Sequence, residues 1–182
     1  MGSTVRYFMR GINLKNYRGI ILHCSASSWG TVLDIDSWHR QRGFSMIGYH
    51  FVILNGSLSP IKHLNMLDGS IERGRGLESR NAAHALGFNR THIGICSISN
   101  GEYTIKQMKA LFDLVVELME LYNIEVEDVL GHNEVSPKSC PCFDVEMLRD
   151  ALTYQDRDRF VAYMTNEKKF KKDMQFPIIA KG

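Results

Sequence analysis

No apolar run in this sequence approaches the ~18 residues needed to span a bilayer as a helix, so a membrane protein is not expected. Charge of one sign is also lacking. A formal net charge of +2, with no long basic stripe carrying interleaved aromatics, argues against nucleic acid as a partner. Cysteine is scarce: Cys24, Cys96, Cys140 and Cys142 are too few for a disulfide framework in a chain of this length, which leaves metal binding or burial as their use. The opening stretch, MGSTVRYFMRGINLKNYRG, has basic residues but no apolar h-region and no small-residue cleavage site, so residence in the cytoplasm is the expectation. Internal repeats and low-complexity segments are missing too. A chain of 182 residues without such interruptions is expected to form one core.

The segments that remain have clear periodicities. Ile20-Ile21-Leu22 is a short apolar run that ends in His23 and reads as a buried strand presenting an imidazole at its C-terminal end. Val32, Ile35 and Trp38 recur at helical spacing between Thr31 and Arg42, with Gly43 placed to stop the helix. GYHFVILNGSLSPI is a strand in which Asn55-Gly56 signals a hairpin turn, and Asp68-Gly69 signals a second turn. Residues 71–92 lack periodicity and read as surface loop, and IGICSI at 93–98 reads as strand. Thr104 and Gln107 form a capping box ahead of a long amphipathic helix through Tyr122. VEDVLGH is a strand or turn, and Asp144 is placed to N-cap a helix over Val145 to Leu152. The tail beyond Tyr154 alternates charges and then carries Lys168, Lys169, Lys171 and Lys172; a solvated helical face is expected there.

The chemistry concentrates in GHNEVSPKSCPCFD, residues 131–144, where His132, Cys140, Cys142 and Asp144 offer more donors than one site needs. A catalytic zinc takes three protein ligands and leaves a position open, whereas a structural zinc takes four. A purely local four-donor site is possible, but Pro141 restricts the backbone between the two sulfurs. Cys142 is more simply a packing residue beside Phe143, and Asp144 a helix cap. A further ligand would then arrive from a distant strand end, where His23 is the best placed of the remaining histidines.

Five pieces in order, ILHCSAS (21–27), IDSWHRQRGFSMIGYHFVI (35–53), DGSIERGR (68–75), HALGFNRTHIGIC (84–96) and GHNEVSPKSCPCFD, resemble the zinc-dependent N-acetylmuramoyl-L-alanine amidases of type 2. That family includes the peptidoglycan recognition proteins, and the likeness is closest to the phage amidases called lysozymes. The resemblance implies an α/β fold, a central mixed sheet flanked by helices, with a catalytic domain over residues 18–154; the charged, partly helical extension expected over 155–182 exceeds the short phage amidases. It implies that His23, His132 and Cys140 bind one Zn²⁺ and that Tyr49 and Lys138 stand at the two catalytic side-chain positions. His84 and Asn89 are expected either to touch substrate in the groove or to stabilise their own loop. His39 is expected to be structural, His50 to be structural or to support a ligand, His63 and His92 to lie on the surface, and Cys24 and Cys96 to belong to the core.

The implied reaction is hydrolysis of the bond between N-acetylmuramic acid and L-alanine in peptidoglycan, in a monomeric phage or prophage endolysin that waits in the cytoplasm for access to the wall. LNGSLSPIKHLNM, between the Tyr49 strand and Asp68-Gly69, is longer than the family commonly carries, so an extended hairpin or extra turn is expected. Two other roles stay open. A non-catalytic peptidoglycan-binding module would typically lack the cysteine ligand that Cys140 supplies. A second role as inhibitor of a phage RNA polymerase, as in some amidases of this type, could use the N-terminal segment.

Overall fold

The computed structural model describes residues 17–78 and 82–165. The N-terminal segment and the lysines at 168–172 lie outside these residues. Five strands form one mixed sheet in the order β3-β2-β4-β1-β5: β1 (Gly19–Cys24), β2 (Phe51–Ser59), β3 (Lys62–Arg73), β4 (His92–Ser97) and β5 (Val129–Gly131). β1 runs parallel to both β4 and β5, β2 runs parallel to β4, and β3 closes the edge antiparallel to β2. β1 and β4 are buried along their whole length, as expected of parallel strands covered on both faces.

Alternation along the strands splits the core in two. Phe51 and Ile53 point to one face with Ile20, Leu22, Ile93 and Ile95; Val52 and Leu54 point to the other with Cys96 and Ile98. The larger core is covered by α2 (Ile105–Tyr122), whose buried Met108, Leu111, Leu114, Val115 and Leu118 each contribute roughly 1.5–3 kcal/mol of burial. The expected capping box starts this helix: Thr104 Oγ1 accepts from Gln107 N at 3.0 Å and Gln107 Oε1 accepts from Thr104 N at 3.1 Å. The smaller core is covered by α1 (Val32–Gln41), with a second capping box between Thr31 and Asp34. Gly43, at φ +88°, follows its end in the left-handed conformation. The short α3 (His132–Val135) precedes α4 (Glu146–Thr153) and α5 (Arg157–Thr165).

Several local expectations shift. Asn55-Gly56 and Asp68-Gly69 are not turns; Asn55 pairs with Asp68 inside one long hairpin that reverses at Pro60-Ile61. The left-handed backbone of Gly56 (φ +83°) and Gly69 (φ +80°) is used at ladder irregularities instead, because a bulge asks for the same glycine conformation as a tight turn. Gly69 has a second duty: a Cβ there would come within 2.9 Å of the Lys106 carbonyl, so its bareness lets the start of α2 sit on the hairpin. Residues 71–73 continue β3, and the loop begins at Gly74. Helix α4 starts at Glu146, with Asp144 Oδ1 accepting from its N–H at 2.9 Å. α5 is not a solvated face, since Phe160 and Met164 are buried in the larger core against the rest of the domain. The packed body therefore extends through α5, past residue 154.

Candidate active site

The sheet register builds the site. Leu22 on β1 pairs with Gly131 on β5, a parallel neighbour, so His23 and His132 are the next residues at the same carboxyl edge. Open α/β sheets place ligands at that edge. The two rings lie 4.5 Å apart between centroids. Cys140 Sγ arrives from the following loop, 3.8 Å from His23 Nδ1. The candidate ligand atoms of His23, His132 and Cys140 all fall within 4.8 Å of one another. Tetrahedral zinc, with bonds of ~2.0–2.3 Å, would hold such donors ~3.3–3.7 Å apart, so this donor set fits after a small contraction.

Residues 131–144 are held by bonds that cross elements. Asn133 N donates to the Cys140 carbonyl at 2.6 Å, and Cys142 N to Ser139 at 2.7 Å. Tyr103 hydroxyl donates to the Pro141 carbonyl. Glu134 Oε2 accepts from Gly131 N at 2.6 Å, while Arg149 bonds both Glu134 oxygens and donates to the Val129 carbonyl at 2.8 Å. The Cys140 sulfur itself accepts from Cys24 N at 3.2 Å, a hydrogen bond suited to a sulfur carrying negative charge.

Electrostatics favour neutral imidazoles here. Burial first, then His84, His132 and Lys138, push the pKa of His23 well below the ordinary value. Burial and Lys138 lower that of His132. Both are thus available as lone-pair donors at neutral pH. Burial also drives the Tyr49 phenol well above its usual range, with the nearby cysteines adding to the effect, so this hydroxyl keeps its proton. The Tyr49 ring lies 5.0 Å from that of His23.

Above the donors opens a groove of about 560 Å³, whose lining includes Tyr49, His132, Lys138 and Cys140. Ser25, Arg42 and Asn100 also line it. Sequence reasoning did not single these out; Arg42 was legible only as the end of α1 and Ser25 as loop. Cys24 and Cys142 form part of the wall, their sulfurs 3.6 Å apart. Cys142 thus meets Cys24, and burial raises its pKa to about 11.

His84 and Asn89 sit elsewhere than the groove surface. His84 is buried beneath His23, with its Nδ1 3.1 Å from His23 Nε2. The Asn89 side-chain oxygen accepts from the backbone N–H groups of His84 and Ala85 at 2.7 and 2.8 Å, which fixes the loop. His92, expected on the surface, is buried at the start of β4, because the 82–91 loop folds back over it and Phe88 packs against its ring. His39 accepts from Gly48 N at 2.9 Å, tying α1 to the loop before β2. His50 accepts from Gly94 N at 2.9 Å and contacts the Tyr17 hydroxyl at 3.2 Å. His63 is exposed on the hairpin.

Comparison with known proteins identifies the family and the fold. The N-acetylmuramoyl-L-alanine amidase family profile matches residues 13–143. The endolysin of Escherichia phage T7 is 33% identical over 138 residues, covering 70% of this chain and 82% of the relative, and the endolysin of Klebsiella phage KP32 is equally similar. Among solved structures, the N-acetylmuramoyl-L-alanine amidase LysC from Clostridium intestinale superposes with a TM-score of 0.65 at 35% identity, covering 76% of this chain and 86% of that one. The bumblebee peptidoglycan recognition protein SA shares the fold at a TM-score of 0.55 and 22% identity, over 70% of this chain and 77% of that one. With the profile spanning most of the packed body and the donor set at the carboxyl edge of the sheet, the chain belongs to the N-acetylmuramoyl-L-alanine amidase family and is an amidase.

Proposed function

We propose that this chain is a phage endolysin that hydrolyses the amide between the lactyl group of N-acetylmuramic acid and L-alanine of the peptidoglycan stem peptide, with Zn²⁺ as its cofactor. The observation that carries the proposal is the convergence of buried His23 with His132 and Cys140, the latter two lining a groove that Tyr49 and Lys138 also line. His23, His132 and Cys140 would hold the ion, leaving a position for water. When bound, it supplies Lewis acidity toward the amide carbonyl and lowers the pKa of its water toward ~7.

The remaining steps belong to this chain's side chains. Lys138, exposed on the groove wall, donates to the oxygen that becomes negative as the carbonyl turns tetrahedral. Tyr49 keeps its proton and acts as a hydrogen-bond donor; as a phenolate base it would be almost unpopulated at neutral pH. Arg42 adds a second cation to the groove lining, suited to a carboxylate of the stem peptide. His84 and Asn89 support the site from behind. The protein acts as a monomer that reaches the wall once the inner membrane is breached.

Incubation of the purified protein with peptidoglycan, followed by mass spectrometry of the products, tests the reading. New L-alanine amino termini are expected, abolished by chelation and restored by Zn²⁺. Full activity in Cys140→Ala would overturn the mechanism. Binding without cleavage by the zinc-loaded protein would make it a recognition module instead.

A further inference from the structure

One group of buried polar atoms is not used by the reaction described above. The His84 ring lies beneath His23, and its two nitrogens face different partners: Nε2 is 3.1 Å from the backbone carbonyl of His92, and Nδ1 is 3.1 Å from His23 Nε2. A carbonyl oxygen can only accept, so His84 Nε2 carries a proton. A neutral imidazole has one proton, which leaves His84 Nδ1 bare. His23 Nε2 must then be the donor, and the lone pair of His23 falls on Nδ1, the atom that faces Cys140 Sγ.

We propose that His84 is a positioning residue: it passes the fixed polarity of the His92 carbonyl to His23, locking His23 in the Nε2–H tautomer with Nδ1 aimed at the metal position. The inference rests on the metal reading only for its consequence; the tautomer itself belongs to the metal-free protein. The surrounding structure is built for this ring. Gly94 on β4 leaves a slot, since a Cβ there would come within 2.6 Å of the His84 ring. Asn89 pins the backbone of His84. The ring is buried, and among the described residues its two nitrogens face only the His92 carbonyl and His23, with no carboxylate beside them to hold a second proton. Partners that fix the tautomer of a ligating histidine typically change metal affinity 10–100-fold when removed.

The test uses the whole chain, metal-free and then titrated with Zn²⁺ alone. Long-range ¹⁵N–¹H NMR of metal-free protein should show His23 protonated at Nε2. His84→Leu should release it to a tautomer mixture and weaken Zn²⁺ binding about 10–100-fold in competition with a chromophoric chelator. His84→Asn, whose Oδ1 can replace Nδ1 as acceptor, should recover most of both. Gly94→Ala, which keeps the histidine but pushes its ring out of the slot, should behave like His84→Leu and serves if that variant does not fold. A His23 that carries its proton on Nδ1 in the wild type, or unchanged tautomer and affinity in folded His84→Leu or Gly94→Ala, would overturn the proposal. If wild-type protein bound no Zn²⁺, the metal reading would fail while the tautomer measurement still decided this one.

Discussion

Residues 131–144 and residues 55–68 are stretches of equal length that look alike on paper. Both are polar, both contain glycine and histidine, and both interrupt more apolar sequence. In the fold they behave as opposites. The first has little regular structure, yet it is tied to other elements by Tyr103, Arg149 and the Cys24 N–H. The second is β-strand on both sides of its turn, with shifts in the ladder, yet its far end stands in solvent, with Ile61 97% and Met66 83% exposed. Regular secondary structure and attachment to other elements are thus separate properties. A site needs bonds that cross elements, and these are what sequence periodicity does not report.

The comparison can be broken where the effect is largest. Lys138→Ala should lower kcat about 10²–10³-fold with little change in melting temperature, because it removes the proposed oxyanion donor, whose side chain is exposed. Tyr49→Phe should cost less, about 10–10²-fold in kcat. Steady-state kinetics on peptidoglycan fragments reads both. A Lys138→Ala protein with undiminished kcat would show that the 131–144 loop holds ligands only.

Arg149→Met tests the bracing itself. The guanidinium is mostly buried and joins Glu134, which holds Gly131, to the Val129 carbonyl. Its loss should destabilise the protein by about 1–3 kcal/mol in denaturant melts and weaken Zn²⁺ binding as the loop loosens. An unchanged metal affinity would mean that the remaining cross-element bonds suffice.

A smaller, graded effect comes from pH. Burial first, then His84 and Arg75, hold the pKa of His50 down to about 3. The unfolded chain takes up that proton near its ordinary pKa of ~6.5, and the folded protein does not until far lower pH. The unfolded state therefore binds more protons across this window, and stability falls as pH drops from about 6.5 toward 3, by ~1.4 kcal/mol per pH unit for this one group. His50→Asn, if it folds, should flatten that slope in pH-dependent melts. Smallest of all, Ile61→Ser and Met66→Ser should each shift stability by less than about 0.5 kcal/mol. A larger loss would show that the hairpin tip is part of the packed body.

Much of the architecture was legible because it follows from local rules. The apolar run before His23, the capping box at Thr104 and the α2 stripe all depend on residues within a few positions of one another. Asn55-Gly56 misled because a left-handed glycine serves a bulge as well as a turn, and only the pairing with Asp68 distinguishes them. The site residues were named through resemblance, since what brings His23 beside His132 is the pairing of Leu22 with Gly131, across 109 positions. The setting of His84 was hidden for the same reason: residues 71–92 read as surface loop, whereas the slot at Gly94 that receives its ring is visible only in three dimensions.

The placement of α5 bears on how such a lytic unit can be cut and recombined. The match to the family profile ends at residue 143, but Val145, Met147, Leu148, Ala151, Leu152, Phe160 and Met164 all lie in the larger core. A fusion partner spliced on where that match ends would therefore replace one wall of the core with solvent, whereas one joined after Thr165 would keep all seven of these side chains.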